Sequence, residues 1–160
     1  MSTSTPVVLF ICVKNGGKSQ MAAALMRHDA GDSIAVHSAG THPRRELNAL
    51  SRQVIEEIGA TMNGEHPKPI DPDLLRTADR IIILGTEAAI TPPPELRGTI
   101  ETWDTDEPSH RGIEGVERMR LVRDDIHRHV HHLHQQLASS PPADPQGGPP
   151  VTDRRESRDQ

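Results

Sequence analysis

The feature that most constrains this chain is an apolar run, Val7-Val8-Leu9-Phe10-Ile11, that breaks into Cys12-Val13-Lys14-Asn15-Gly16-Gly17-Lys18-Ser19. An Ala-, Met- and Leu-rich segment, Gln20 to Met26, follows at once. A strand, a glycine-rich turn and a helix in that order aim successive backbone N–H groups and a helix N-terminus at one point. Such a point is a natural cradle for an oxyanion. The one cysteine of the chain, Cys12, opens the turn. The positive end of a helix dipole and a nearby lysine both favour a thiolate there, so Cys12 reads as a nucleophile rather than as buried filler. Backbone N–H groups from Val13, Lys14, Asn15, Gly16 and Gly17 onward are the expected oxyanion holders, with Lys18 balancing the charge. The Ser19 hydroxyl is placed to donate to the sulfur. Asn15 is expected to serve the loop itself, because asparagine tolerates left-handed backbone.

The rest of the chain alternates between the two hydrophobic periods. Residues 7–12 read as a buried strand and 19–29 as a helix, with Met21, Ala22, Leu25 and Met26 on its inner side. Ser33 to His37 predicts a second strand, ended by a turn of small residues, Ser38-Ala39-Gly40-Thr41, where backbone can approach another loop closely. Leu47, Leu50, Val54 and Ile58 step by three or four along a helix stopped by Gly59. Asp71-Pro72 opens a short helix with Leu74 and Leu75 inward, Arg80 to Gly85 is a third strand, and Thr91 to Pro94 is a loop. Thr99 to Trp103 is a fourth strand, and the periodicity from Ile113 to Leu137 predicts a long final helix. Unbroken apolar strands alternating with helices define an α/β fold: a parallel four-stranded sheet with helices on both faces. Ligands in such folds bind beyond the carboxyl ends of the strands, where Cys12, Ser38, Gly85 and Trp103 fall.

A length of 160 residues suits one domain with a real core. That domain is assigned to 1–137. Residues 138–160 lose all periodicity, carry five prolines and two adjacent glycines, and read as a disordered Pro-rich tail. The net charge of −5, with both signs scattered and no basic stripe interleaved with aromatics, argues against nucleic acid as a partner. A lone cysteine excludes an internal disulfide and suits a reducing cytoplasm, the expected location. Val7 to Val13 is too short for a signal core or a membrane span. His127, His129, His131, His132 and His134 crowd the final helix, but no carboxylate pattern accompanies them, so no metal site is assigned.

Cys-x5-Lys-Ser after a strand, with Asn15 three residues past the cysteine, resembles the phosphate loop of the low-molecular-weight protein tyrosine phosphatases. Those have Cys-x5-Arg-Ser. The likeness runs through Ser38 to Thr41, Ala78 to Ile82 and Trp103 to Pro108, covering roughly residues 6–137. Within that superfamily the chain looks most like the actinobacterial arsenate-mycothiol transferases. The shared stretches are Cys12 to Ala24, Pro67-Lys68-x-Ile70-Asp71-Pro72, Leu74 to Thr77, Glu107-Pro108, and Glu117 to Asp124. The resemblance implies a phosphatase-like parallel sheet, a Cys12 nucleophile and a general acid at Glu107, with Asp106 as the alternative. Lysine for arginine at 18 replaces a planar fork with a point charge. The chain has no tyrosine, and its only aromatics are Phe10 and Trp103. A cradle without aromatic walls suits arsenate better than phosphotyrosine.

Thioredoxin-coupled reductases of this fold resolve their intermediate with two further cysteines, which this chain lacks. The resemblance therefore implies mycothiol as co-substrate, with Cys12 either bonding arsenic or activating it, and a glutaredoxin-like mycoredoxin completing the reduction. No bound cofactor is implied. Lys68, Arg44, Arg45, Arg118 and Arg120 are candidate contacts for the polar groups of the thiol. Two other readings stay open: a phosphatase for small phosphate esters or phosphotyrosine, and a non-catalytic oxyanion-binding protein. A nucleotide P-loop fits less well, because Cys12 occupies the place of its first glycine.

Overall fold

The computed structural model describes residues 5–139. Strand β1 (Val7–Cys12) runs into helix α1 (Lys18–Ala30), then a short 3₁₀ turn and strand β2 (Ala35–Gly40). Helices α2 (Ala49–Glu57) and α3 (Pro72–Thr77) precede strands β3 (Arg80–Leu84) and β4 (Thr99–Trp103), and a second 3₁₀ turn leads to helix α4 (Gly115–Ser139). The four strands pair in the order β2-β1-β3-β4, all parallel. This is the expected α/β sheet.

The strand pleat divides the core in two. Val8, Phe10 and Cys12 point to one face of β1, where they join Ile82 and Leu84 of β3 against α1, α2 and α4. Leu9 and Ile11 point to the other, with Ile81, Ile83, Leu75 and Ala78 beneath α3. Phe10, Leu9, Ile11 and Ile82 are fully buried. Each such side chain stabilises the fold by roughly 1.5–3 kcal/mol through lost contact with water. Cys12 is the last residue of the central strand and shares its face with the α1 side.

Local signals explain the helix starts. Asn48 Oδ1 accepts a hydrogen bond from Ser51 N at 2.8 Å and caps α2; Asp71 Oδ1 caps α3 through Asp73 N at 2.9 Å, with Pro72 at the first helical position. Several boundaries differ from the sequence reading. Strand β2 begins at Ala35 and continues to Gly40, so Ser38, Ala39 and Gly40 are strand and not turn. Their small side chains let β2 stay in register with Phe10, Ile11 and Cys12 to its end. Helix α4 starts at Gly115 and extends to Ser139, taking in Ala138. The remainder of the segment read as a disordered tail lies outside the described residues.

Candidate active site

The turn after β1 is shaped from outside by its own carbonyls. Thr41 N donates to Cys12 O at 3.1 Å, His42 N to Val13 O at 2.7 Å, Arg44 N to Lys14 O at 3.0 Å and Asn48 N to Gly16 O at 2.8 Å. Gln20 Nε2 donates to Asn15 O at 3.2 Å, and Met21 N to Gly17 O at 2.8 Å. All six carbonyls from Cys12 to Gly17 are thus held by donors around the loop. In a trans peptide the following N–H points opposite to the carbonyl. The N–H groups of Val13 to Lys18 therefore turn to the side facing away from those donors, and Asn15 N shows where that is: it donates to Cys12 Sγ at 3.2 Å.

Two glycines permit this close stapling. A Cβ on Gly40 would stand 2.7 Å from Val13 O and 3.0 Å from Asn15 N. One on Gly16 would meet Arg44 Cδ at 2.4 Å and Glu46 O at 3.2 Å. The close approach expected at Gly40 is present, though within a strand.

The sulfur lies at the end of an ordered hydrogen-bond chain. Ser19 Oγ is 2.9 Å from Cys12 Sγ, and Asn15 Nδ2 donates to Ser19 Oγ at 2.7 Å. Asn15 Oδ1 in turn accepts from Lys68 N at 3.0 Å and from Gln20 Nε2 at 3.2 Å. Those two donors fix which end of the Asn15 amide is oxygen. Toward an ionised Cys12, whose sulfur can only accept, the Ser19 hydroxyl is the donor. Asn15, Ser19 and Gln20 are fully buried, and Asn15 holds the left-handed φ of 51°. Gln20, Asn48 and the backbone N–H groups of Thr41, His42 and Arg44 were not singled out in the sequence. The signal there was slight: a polar residue on an apolar helix face and a cap residue.

Lys18 does not stand alone. Its Nζ is 3.9 Å from Glu107 Oε1, and both side chains are about one quarter exposed, at 25 % and 26 %. Glu107 Oε2 also accepts from Arg118 Nε and from Ser109 Oγ, each at 2.8 Å. Burial raises the Glu107 carboxyl, but the Ser109 and Arg118 hydrogen bonds and the Arg118 and Lys18 charges outweigh it, so the group lies below its ordinary value. Asp106 is engaged otherwise, accepting both arms of Arg111 at 2.8 and 3.1 Å, which hold it too below the usual carboxylate range. The structure therefore brings Lys18 and Glu107 together and ties Asp106 to Arg111.

The candidate thiol contacts separate as well. Lys68 Nζ donates to His66 O at 2.9 Å and to Ser38 Oγ at 3.4 Å, and burial pushes its ammonium down against the pull of Glu65. Arg118 is committed to Glu107, while Arg120 donates to Glu57 at 2.7 and 3.1 Å and joins α4 to α2. Arg44 and Arg45 make no ion pair among the described residues. His127 meets Asp29 at 3.0 Å, and no group of three or more metal-ligating side chains gathers among the described residues. No helix there is long and apolar enough to cross a membrane. Both aromatic residues are committed to the core: Phe10 and Trp103 pack with ring centroids 5.8 Å apart and are 0 % and 6 % exposed.

A parallel sheet whose central strand ends in a buried thiol, with Asn15 N–H and the Ser19 hydroxyl on its sulfur, has the architecture of a phosphatase-type cysteine protein. The chain belongs to the low molecular weight phosphotyrosine protein phosphatase family, whose model matches residues 7–142. It is 33 % identical over 132 residues to an arsenate reductase of Bacillus licheniformis, covering 77 % of this chain and 91 % of that one. Among solved structures, it superposes on a Corynebacterium glutamicum thioredoxin-dependent arsenate reductase with a TM-score of 0.71 at 30 % identity. That match covers 87 % of this chain and 66 % of the other, so this chain spans just under two thirds of that protein. A further arsenate reductase, solved in a phosphate-binding state, gives a TM-score of 0.69 at 26 % identity, over 82 % of this chain and 98 % of that one.

Proposed function

We propose that this chain is an arsenate reductase that passes arsenate to an external low-molecular-weight thiol, mycothiol, for later reduction by a mycoredoxin. The observation that carries the reading is a cradle built around the one thiol the chain possesses. The arsenate-reductase relatives support the substrate. The missing second and third cysteines support a thiol from outside. Burial of both aromatics in the core supports a small oxyanion over an aryl phosphate.

In the proposed sequence the inward N–H groups hold three arsenate oxygens while the Cys12 thiolate bonds arsenic. One As–O bond breaks, and that oxygen leaves as water. The Ser19 hydroxyl, 2.9 Å from the sulfur, donates a hydrogen bond to the attacking thiolate. Lys18 offsets charge on the oxyanion from its place beside Glu107. Glu107 is ionised at rest, so it serves as a relay, taking a proton from arsenate or the incoming thiol and giving it to the departing oxygen. Mycothiol then forms its own S–As bond as the Cys12–arsenic bond breaks. The net change is condensation of thiol and arsenate with loss of one water, arsenic remaining pentavalent. Reduction follows off the enzyme, when a mycoredoxin thiolate attacks the mycothiol sulfur and the S–As electron pair leaves with arsenic as arsenite. The proposed setting is the cytoplasm.

Arsenate consumption with mycothiol and mycoredoxin, compared with thioredoxin alone, tests the reading. Turnover only with the former is expected. Equal turnover with thioredoxin alone overturns the thiol assignment. Rapid phosphate release from an aryl phosphate without arsenate turnover overturns the substrate.

A further inference from the structure

Among the described residues, most lysine and arginine side chains are paired with carboxylates. From Lys18 through Arg128, every lysine and arginine among the described residues except Arg44 and Arg45 meets a carboxylate at 3.9 Å or closer. With Lys14, these two are the cations that have no carboxylate partner among the described residues. All three belong to one structural unit. Lys14 is in the cradle, Arg44 N donates to Lys14 O at 3.0 Å, and the Arg44 stem lies directly over Gly16. Arg44 and Arg45 are exposed, and His42 of the same segment is exposed beside them. Glu46 follows in sequence but forms no ion pair with either arginine, so the rim keeps a net positive charge.

The chain carries a net charge of −5, which repels a dianion at long range. Side-chain pairing cancels the field of the other cations within a few ångströms, whereas unpaired charges act out to the Debye length. We propose that Arg44 and Arg45, fastened to the flank of the cradle by the Arg44–Lys14 backbone bond, form an electrostatic rim that draws small anions to Cys12 and selects them over neutral molecules of the same size. The inference rests on the cradle being a site for a small oxyanion and extends that reading to how the anion is captured.

The single cysteine permits a test that needs no arsenate. Iodoacetate and iodoacetamide both alkylate a thiolate with loss of iodide, and they differ by one negative charge. Their rates at Cys12 are measured for the wild-type protein, Arg44→Gln/Arg45→Gln and Arg44→Lys/Arg45→Lys. The measurements are made in about 10 mM and about 1 M salt, where the Debye length is about 30 Å and about 3 Å. At low salt the glutamine variant should lower the iodoacetate rate about 3- to 10-fold, with iodoacetamide unmoved within about twofold. The lysine variant should keep the wild-type ratio, and all three proteins should converge at high salt. An unchanged iodoacetate-to-iodoacetamide ratio in the glutamine variant overturns the proposal. So does a parallel fall of both rates, which would make the arginines structural supports of the loop. Arsenate turnover, measured separately, can fail without touching this result.

Discussion

Ser19 Oγ lies 2.9 Å from Cys12 Sγ while accepting a hydrogen bond from Asn15 at 2.7 Å, and toward an ionised sulfur, which can only accept, it is the donor. A hydrogen bond to a charged acceptor contributes about 1.5–3 kcal/mol. Ser19→Ala removes it without disturbing the carbonyls that shape the loop. Alkylation of Cys12 by iodoacetamide at near-neutral pH should slow about tenfold with circular dichroism unchanged, while the buried Asn15 Nδ2 left without its acceptor should lower stability by about 1–3 kcal/mol. An unchanged alkylation rate would mean that Ser19 does not stabilise the thiolate.

Asn15 performs two tasks that substitution can separate. Its φ of 51° favours asparagine or glycine, and its amide links Lys68 N to Ser19 Oγ. Asn15→Ala should lose about 2–3 kcal/mol, from backbone strain and a broken buried network. Asn15→Gly should recover about 1 kcal/mol of that while leaving Cys12 reactivity low. Denaturant melts and alkylation rates, read side by side, check this; equal recovery of both would show that the amide is dispensable.

Gly40 is tested by its smallest replacement. In Gly40→Ala the new methyl would stand 2.7 Å from Val13 O and 2.9 Å from Asn15 Cβ, both parts of the cradle and neither free to swing away. Overpacking of this kind costs about 1–3 kcal/mol. A lowered melting temperature together with slowed alkylation is expected, and a stable variant with wild-type reactivity would refute the stapled geometry.

The Glu107–Arg118 contact gives a pH-dependent signature. Both side chains are about one quarter exposed, at 26 % and 27 %, so the pair is worth roughly 1 kcal/mol. The folded Glu107 carboxyl titrates below its ordinary value of 4.5, so its contribution is present above that value and lost as pH falls through the folded one. Arg118→Met should therefore melt earlier than wild type near pH 7, and the gap should close in acid, as pH falls well below 4.5. A gap of equal size at neutral and acid pH would assign the loss to packing.

How legible this was depended on range. Val7 to Cys12 and Arg80 to Leu84 announced buried strands because both faces need apolar residues, and the strand-turn-helix layout around Cys12–Ser19 was legible from glycine placement. Strand β2 was shortened because Ser38, Ala39 and Gly40 have poor strand propensity; pairing with Phe10, Ile11 and Cys12 overrides it. The supports of the cradle were hidden for a different reason. Thr41, His42, Arg44 and Asn48 act through backbone N–H groups, which no side-chain pattern encodes. Likewise, Glu107 lies in a loop outside the helix that carries Arg118, so no periodicity relates the two and their contact emerges only when α4 packs.

The central claim is that arsenic leaves Cys12 on a thiol from outside the chain. Mass spectrometry of a reaction holding only enzyme, arsenate and mycothiol tests it directly, compared with the same reaction on Cys12→Ser. The account predicts that arseno-mycothiol accumulates with the wild-type protein, that Cys12 returns to the free thiol, and that the serine variant yields no more than the uncatalysed background. Arsenate left intact by the wild-type protein, or equal product formation by Cys12→Ser, would contradict it.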